Sequence, residues 1–228
     1  MYVGVDIGTS KSAAVIVDAE GRLLADVSEA HGADLAAPAG RSEQDAEKLV
    51  SHGSTLISRL PAELRAQVRA VGVTGQMHGV VLLDRDARPV SPLVTWQDQR
   101  CLEDADWLER INGELATPLR TGFGCATLTW YAKEKALPEA AVSACTIHDL
   151  VVARLCGLER PFTDASDAAS WGLFDLRKLE WDVPAALRPG IPDRLLPEVL
   201  PCGARAGIVS SPMAQQLEIP RGVPVAAA

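Results

Sequence analysis

Apolar and polar residues alternate over Tyr2 to Asp6, Ala13 to Asp18 and Arg22 to Val27, the period-2 signature of strands with one buried face. Ala19-Glu20-Gly21 turns the second stretch into the third, so three antiparallel strands are expected at the start of the chain. From Ser42 the period lengthens to that of a helix: Ala46, Leu49, Val50, Gly53, Leu56, Ile57 and Leu60 fall on one face. Ser42-Glu43-Gln44-Asp45 is expected to supply a capping-box start, and Pro61 the stop.

Val68 to Thr74 then reads as a buried strand running into Gly75-Gln76-Met77-His78-Gly79. Strand Val80 to Asp84 and a polar turn through Arg85-Asp86-Ala87-Arg88 follow. Helices are expected over Glu103 to Ile111, Thr127 to Lys135 and Ile147 to Leu155, the last ended by Gly157 and Pro161. Pro184 to Pro201 is rich enough in proline to be read mostly as loop. A short helix over Pro212 to Leu217 precedes a strand starting at Val223. Strands, then helix, strand and helix, imply an α/β domain whose sheet carries helices on its faces.

Composition narrows the chemistry. With 228 residues, 47% of them apolar, the chain can fill a sizeable core. No apolar run reaches the roughly 18 residues of a spanning helix. Asp6 and Lys11 interrupt the stretch where a signal peptide would be apolar. A soluble, cytoplasmic protein without a membrane partner is expected. Cys101, Cys125, Cys145, Cys156 and Cys202 form an odd set with no C-x-x-C pair, so buried free thiols are expected in place of disulfides or a zinc site. Net charge is -8, from 22 basic and 30 acidic side chains that are interspersed along the chain. No basic stripe is present to bind nucleic acid, whereas a small anionic nucleotide can still be held by backbone amides and a metal ion.

Three segments carry candidate chemistry. In Asp6-Ile7-Gly8-Thr9-Ser10-Lys11, between two strands, Gly8 lets backbone approach an oxyanion. Thr9 and Ser10 offer hydroxyls and amides, Lys11 a point charge, and Asp6 a carboxylate for magnesium. The plain alternative is a hairpin turn with Gly8 at positive φ. Gln76 and His78 stand at a strand end, where α/β sheets expose ligand-binding groups, although a lone histidine there is more often structural. Trp96-Gln97-Asp98-Gln99-Arg100 combines a ring, a carboxylate and a guanidinium. That set suits a hydroxyl-rich ligand, and it equally describes an Asp98/Arg100 surface pair beside a buried Trp96. Leu128, Trp130 and Tyr131, on an expected helix, read as core.

The loop from Asp6 to Ser10 resembles the first phosphate motif of the sugar kinase, hexokinase, actin and Hsp70 superfamily. Together with Ser42-Glu43-Gln44-Asp45, Gln76-Met77-His78-Gly79 and Trp96-Gln97-Asp98-Gln99-Arg100, it resembles in order and spacing the FGGY carbohydrate kinases. Within that family the segments Leu93 to Asp98, Thr121 to Thr127, Thr146 to Asp149 with Val151 to Leu158, and Ser166 to Gly172 most resemble the xylulokinase-like sedoheptulokinase subgroup. That resemblance implies a ribonuclease H-like fold, with residues 1-228 as the amino-terminal, sugar-binding domain and a carboxy-terminal nucleotide-binding domain beyond it.

It further implies ATP and Mg2+, a ketose or polyol substrate, and transfer of phosphate to a hydroxyl. Gly8, Thr9, Ser10 and Lys11 would face the phosphates and Asp6 the metal. Gln76, Met77, His78, Trp96, Asp98, Arg100 and Phe123 would face the sugar, Trp96 and Phe123 as apolar walls, with Asp98 holding its loop or a hydroxyl. The general base is expected in a Gly-Asp motif past Ala228, so the chain by itself is expected to be inactive. One departure is that Ala13 stands where such kinases usually carry a basic residue. A sugar-binding domain of a degenerate kinase is the alternative. No role is assigned to Thr163 through Trp171.

Overall fold

The computed structural model describes residues 1-227. In chain order, β1 (Tyr2–Ile7), β2 (Lys11–Val17) and β3 (Leu23–Ala30) form the antiparallel start, followed by the short β4 (Glu43–Gln44), α1 (Ala46–Arg59), α2 (Ala62–Arg65) and β5 (Ala70–Gly75). Next come β6 (Val81–Leu83), β7 (Leu93–Val94), a 3-10 turn over Arg100–Asp104, α3 (Ala105–Glu114), α4 (Gly124–Lys133), β8 (Ser143–Cys145) and α5 (Ile147–Cys156). The last third holds β9 (Phe162–Asp164), α6 (Ala165–Ser170), β10 (Phe174–Asp175), β11 (Glu180–Trp181), α7 (Val183–Leu187), a 3-10 turn over Asp193–Leu195, β12 (Glu198–Leu200), β13 (Arg205–Ile208), α8 (Ser211–Leu217) and β14 (Pro224–Ala227).

Six strands make the main sheet, in the order β13-β14-β5-β1-β2-β3. The β1/β2, β2/β3 and β13/β14 pairs are antiparallel, while β1/β5 and β14/β5 are parallel. The sheet is therefore mixed, as expected. From β3 to β5 and from β5 to β14 the chain moves across the sheet in one direction, and the right-handed crossover rule then puts α1 and α5 on one face. Val3, Val5 and Ile7 of β1, Ala14 and Ile16 of β2, and Val71 and Val73 of β5 meet Leu49, Leu56 and Ile57 of α1 and Leu150 and Val151 of α5 there. At Gly53 a Cβ would lie 3.0 Å from Ile7 Cδ1, so the glycine lets α1 settle closely on β1.

The opposite face is lined by small side chains. Gly4, Asp6, Ala13, Val15, Gly72 and Thr74 border a groove of about 340 Å³ beside the β1–β2 loop. A second hydrophobic cluster lies off the sheet, with Leu119, Cys125, Leu128, Trp171, Ile191 and Leu195 at its centre. Leu128, Trp130 and Tyr131 belong to it, as expected of an apolar helical stripe. No helix among the described residues is long and apolar enough to cross a membrane.

Several boundaries differ from the sequence pattern. Ser42 to Asp45 is not a capping box: Asp45 alone caps α1, accepting from the Lys48 amide, while Glu43 and Gln44 pair with β7. A full capping box occurs instead at Thr146/Asp149, at the start of α5. The helix expected from Glu103 begins as a 3-10 turn and becomes α-helical at Ala105, where Asp104 accepts from the Trp107 amide. The next helix starts at Gly124, before Thr127, and its first residue lies so close to the Trp171 ring that a Cβ there would fall 2.5 Å from it. Pro184 to Pro201 is only partly loop, since most of α7, a 3-10 turn and all of β12 fall within it. Cys202 is exposed, unlike Cys101, Cys125 and Cys145, and its thiol donates to Asp164 Oδ1 at 3.0 Å.

Candidate functional site

The β1–β2 ladder delivers the loop. Ile7 is paired with Ser12, leaving Gly8 to Lys11 to make the turn. Gly8 is needed there for space and not for a left-handed φ, since a Cβ would lie 2.8 Å from the Lys11 carbonyl oxygen. Two loop carbonyls are turned into the protein. Thr9 O accepts from Gln44 Nε2 at 2.8 Å and from His31 Nε2 at 3.0 Å, and Ser10 O accepts from the His31 amide. Because His31 Nδ1 accepts from the Ala33 amide, its ring proton sits on Nε2, which fixes the direction of the Thr9 bond.

Strand alternation places Asp6 on the open face, directly across from Ala13 on one side and Thr74 on the other. No protein hydrogen bond or ion pair among the described residues engages its carboxylate. Lys11 lies on the same face of β2 as Ala13, two residues nearer the loop tip, or about 7 Å along the strand. A cationic side chain thus leaves the same strand face as the missing base, one pleat repeat closer to the loop.

The shelf starts where β5 ends. The Gln76 amide donates to Ile7 O at 2.9 Å, and Gln76 Nε2 donates to Gln44 Oε1 at 2.8 Å. Gln76 Oε1 is buried with no partner among the described residues. Met77 is 45% exposed. His78 takes φ +68°, and the Gly79 amide reaches back to Met77 O at 2.8 Å, giving a three-residue turn of a strained kind. Ser170 holds it: the His78 amide donates to Ser170 Oγ at 3.1 Å, and Nδ1 lies 2.6 Å from Ser170 O. A carbonyl can only accept, so Nδ1 carries the proton and Nε2 is left as the ring's free nitrogen. The imidazole stacks on Phe123, with centroids 4.9 Å apart and planes 6° from parallel.

Trp96 is 47% exposed, and its Nε1 donates to Thr9 Oγ1 at 2.9 Å. The loop and the shelf are therefore in direct contact, a second time through the Gln76–Gln44–Thr9 relay. Behind Trp96, Gly122 sits at φ +85° so close to the Trp96 carbonyl that a Cβ would fall 2.1 Å from its oxygen.

Asp98 and Arg100 do not stand on the surface beside a buried Trp96; the burial is reversed. Asp98 is 1% and Arg100 2% exposed. The Asp98 carboxylate accepts from the Ser42 amide, the Arg100 amide and both Arg100 Nε and Nη2, and Nη2 also reaches Glu43 Oε1 at 2.6 Å. Burial pushes the Arg100 guanidinium down, and the Asp98 and Glu43 carboxylates more than offset that, so its pKa is raised. The pair fastens the Trp96 segment to β4 from behind, and its polar groups are spent on that task.

Among the expected residues, the structure puts Thr9 in direct contact with Trp96 and His78 with Phe123, and ties Gln76 to Thr9 through Gln44. It sets Asp6 and Lys11 on the adjoining strand face and Asp98 and Arg100 underneath. Gln44, His31 and Ser170 emerge as organising residues that the sequence pattern did not single out. In the sequence, Gln44 reads as part of a helix start and Ser170 as part of a turn before Trp171. The signal the sequence offers for both is that they lie in segments resembling the kinase family, Ser42 to Asp45 and Ser166 to Gly172.

The family model described as "FGGY family of carbohydrate kinases, N-terminal domain" matches residues 1–228. The chain is 35% identical to human sedoheptulokinase and 34% to the mouse protein, over 99% and 98% of its length and 52% and 51% of theirs. It is 30% identical to xylulose kinase of Klebsiella pneumoniae, over 79% of this chain and 38% of that one. The chain spans about half the length of the sedoheptulokinases it matches. Among solved structures, a kinase from Brucella ovis superposes with a TM-score of 0.85 at 24% identity, covering 99% of this chain and 47% of that one. Gluconate kinase from Lactobacillus acidophilus gives 0.84 at 20% identity, with coverage of 99% and 47%. These likenesses show the ribonuclease H-like fold of actin-like ATPases and sugar kinases.

Proposed function

The chain belongs to the FGGY family of carbohydrate kinases, and from that premise we propose that it is the amino-terminal, sugar-binding half of an enzyme that transfers the terminal phosphate of ATP to a hydroxyl of a ketose or polyol. Sedoheptulose and xylulose are the first substrates to try, given the relatives' names. The observation that carries the reading is the Trp96–Thr9 hydrogen bond, which joins an anion-type loop to an aromatic shelf.

Each part has a task. Trp96 and the His78/Phe123 stack offer flat apolar surface for the C–H faces of a sugar. Gln76 Oε1, an unsatisfied buried acceptor that costs about 1–3 kcal/mol when left unpaired, fits a donating hydroxyl. His78 Nε2 is available to a second hydroxyl. Gly8, Thr9 and Ser10, with Lys11 beside them, take the phosphate side, so that the hydroxyl and the phosphate are held in line. The Asp6 carboxylate, unpaired and bordering an open groove, fits magnesium. When bound, that ion would neutralise charge on the terminal phosphates. Asp98 and Arg100 serve by fixing Trp96. The base that accepts the hydroxyl proton and the adenosine site would come from the remainder of the protein, so the described half is inactive alone in this reading.

The test is an assay of the longer protein with ATP, magnesium and a panel of ketoses and polyols. Phosphate transfer to sedoheptulose or xylulose is expected, and transfer to no member of the panel would reject the proposal.

A further inference from the structure

We propose that Asp167, held in place by His148, is a positioning residue for His78: its carboxylate accepts the hydrogen bond of the Ser170 hydroxyl, which turns the Ser170 Oγ lone pairs toward the His78 amide. The inference rests on the reading of His78 as a sugar-facing group. Ser170 Oγ lies 3.4 Å from Asp167 Oδ1 and 3.1 Å from the His78 amide nitrogen. A serine hydroxyl has one proton to give. With a carboxylate accepting the hydrogen bond from that proton, the oxygen's lone pairs are left for the N–H of His78.

The other carboxylate oxygen, Asp167 Oδ2, meets His148 Nε2 at 3.2 Å and receives the Thr163 hydroxyl at 3.4 Å. Asp167, His148, Thr163 and Ser170 are all buried. Burial by itself would strip the proton from His148. The hydrogen bond to Asp167 and the nearby charges of Asp149 and Asp164 outweigh it, and the imidazole is raised to about 9. An imidazolium therefore stands against the Asp167 carboxylate, which keeps that carboxylate an acceptor in a dry place.

His148 also touches the shelf from below. A Cβ on Gly75 would lie 3.3 Å from His148 Cβ, so the end of β5 rests on that residue just before Gln76. The segment from Gln76 to His78 is thus attached twice, over His148 and through Ser170, and both attachments meet at Asp167. The device answers a need, because a non-glycine residue at φ +68° persists only where its surroundings hold it there.

Two substitutions test this, Ser170→Ala and Asp167→Asn, with amide hydrogen exchange at His78 as the structural readout and polyol affinity and kcat of the longer protein as the functional one. Both variants are expected to speed exchange at the His78 amide by about tenfold or more, with Val71 and Val73 in the sheet keeping their protection. Polyol KM should rise about 5- to 10-fold with kcat within about twofold. Thr163→Val, which removes a donor to the same carboxylate, should act in the same direction by about two- to threefold. It serves if Asp167→Asn fails to fold. Fast exchange in Ser170→Ala together with wild-type protection in Asp167→Asn and Thr163→Val would overturn the role of Asp167. If the wild-type protein binds no polyol, the kinase reading falls, and the exchange result still decides this one.

Discussion

The β1–β2 loop hangs from a ladder of paired strands, whereas the shelf around His78 and Trp96 hangs from buried side chains. For the loop, six register pairs between β1 and β2 and six between β1 and β5 fix the position of every backbone atom leading into Gly8. For the shelf, the supports are the Asp98–Arg100–Glu43 bonds, the Ser170 hold on His78 and the contact of Gly122 with the Trp96 carbonyl. A ladder spreads its load over many weak, interchangeable bonds. Buried ties concentrate it in a few groups, each costly to leave unpartnered. The shelf should accordingly break at single side chains where the loop does not.

The largest break is expected at Asp98. Asp98→Ala leaves the Arg100 guanidinium buried with only Glu43 for an anionic partner, and loss of one side of such a pair typically costs about 3–5 kcal/mol. Chemical denaturation should show a loss of that size, together with altered fluorescence from the loosened Trp96. A cost under about 1 kcal/mol would mean that the pair is not the anchor of this segment.

Gly122→Ala comes next. Its Cβ would collide with the Trp96 carbonyl oxygen, and alanine tolerates φ +85° poorly, so a loss of about 2–3 kcal/mol is expected. Gly72→Ala, in the middle of β5 with nothing within 4 Å of its added Cβ, is the matching change in the sheet. It should be neutral or stabilising by up to about 1 kcal/mol. Equal losses at the two glycines would erase the distinction between ladder and ties.

Acidity should separate the regions too. On folding, His148 is raised to about 9, so its contribution is present in full below the ordinary histidine range near 6.5 and is lost as pH rises through about 9. Stability should therefore decline by about 1–3 kcal/mol between pH 6.5 and 9. The Asp167→Asn variant, lacking the negative charge that holds the imidazolium, should show a flatter profile. Stability that climbs over this interval in the wild-type protein would contradict the buried charge pair.

The same division decides what could be read from the sequence. Period-2 alternation located β1, β2 and β3, and an apolar run located β5, with ends off by up to three residues, because one face of the sheet is covered and its pattern is written into Val3, Val5, Ile7, Val71 and Val73. The motif residues Thr9, Gln76, His78, Trp96 and Phe123 are grouped in the sequence only by the resemblance to the kinase family; strand-end position and aromatic character alone leave His78 and Trp96 open to a structural reading. What escaped was the support. Gln44 lies beside a true helix start and was absorbed into it. Asp98 and Arg100 have the composition of a surface pair, and only the packing of Trp130, whose ring centroid is 5.1 Å from the guanidinium carbon, reveals that they are inside. Ser170 and Asp167 are linked to His78 across about ninety positions of sequence, a separation no local pattern encodes.

The smallest effect, and the sharpest test of how the two regions are joined, concerns the hydrogen bond from Trp96 Nε1 to Thr9 Oγ1. Both partners are partly solvated, so water can replace either, and Thr9→Val or Trp96→Phe should each cost only about 0.5–1.5 kcal/mol of stability. Each single variant also loses contacts that have nothing to do with the bond, which is why neither loss can be assigned to it. A double-mutant cycle removes those terms and should leave a coupling of about 0.5–1 kcal/mol. The Gln76–Gln44–Thr9 relay is a second connection between loop and shelf that the cycle leaves intact. If loop and shelf move as one body, the coupling should be the same whether it is read from unfolding or from polyol affinity. A coupling near zero in unfolding but present in polyol affinity would instead mean that the two regions come together only when the ligand is bound, and that the ladder and the ties are held independently until then.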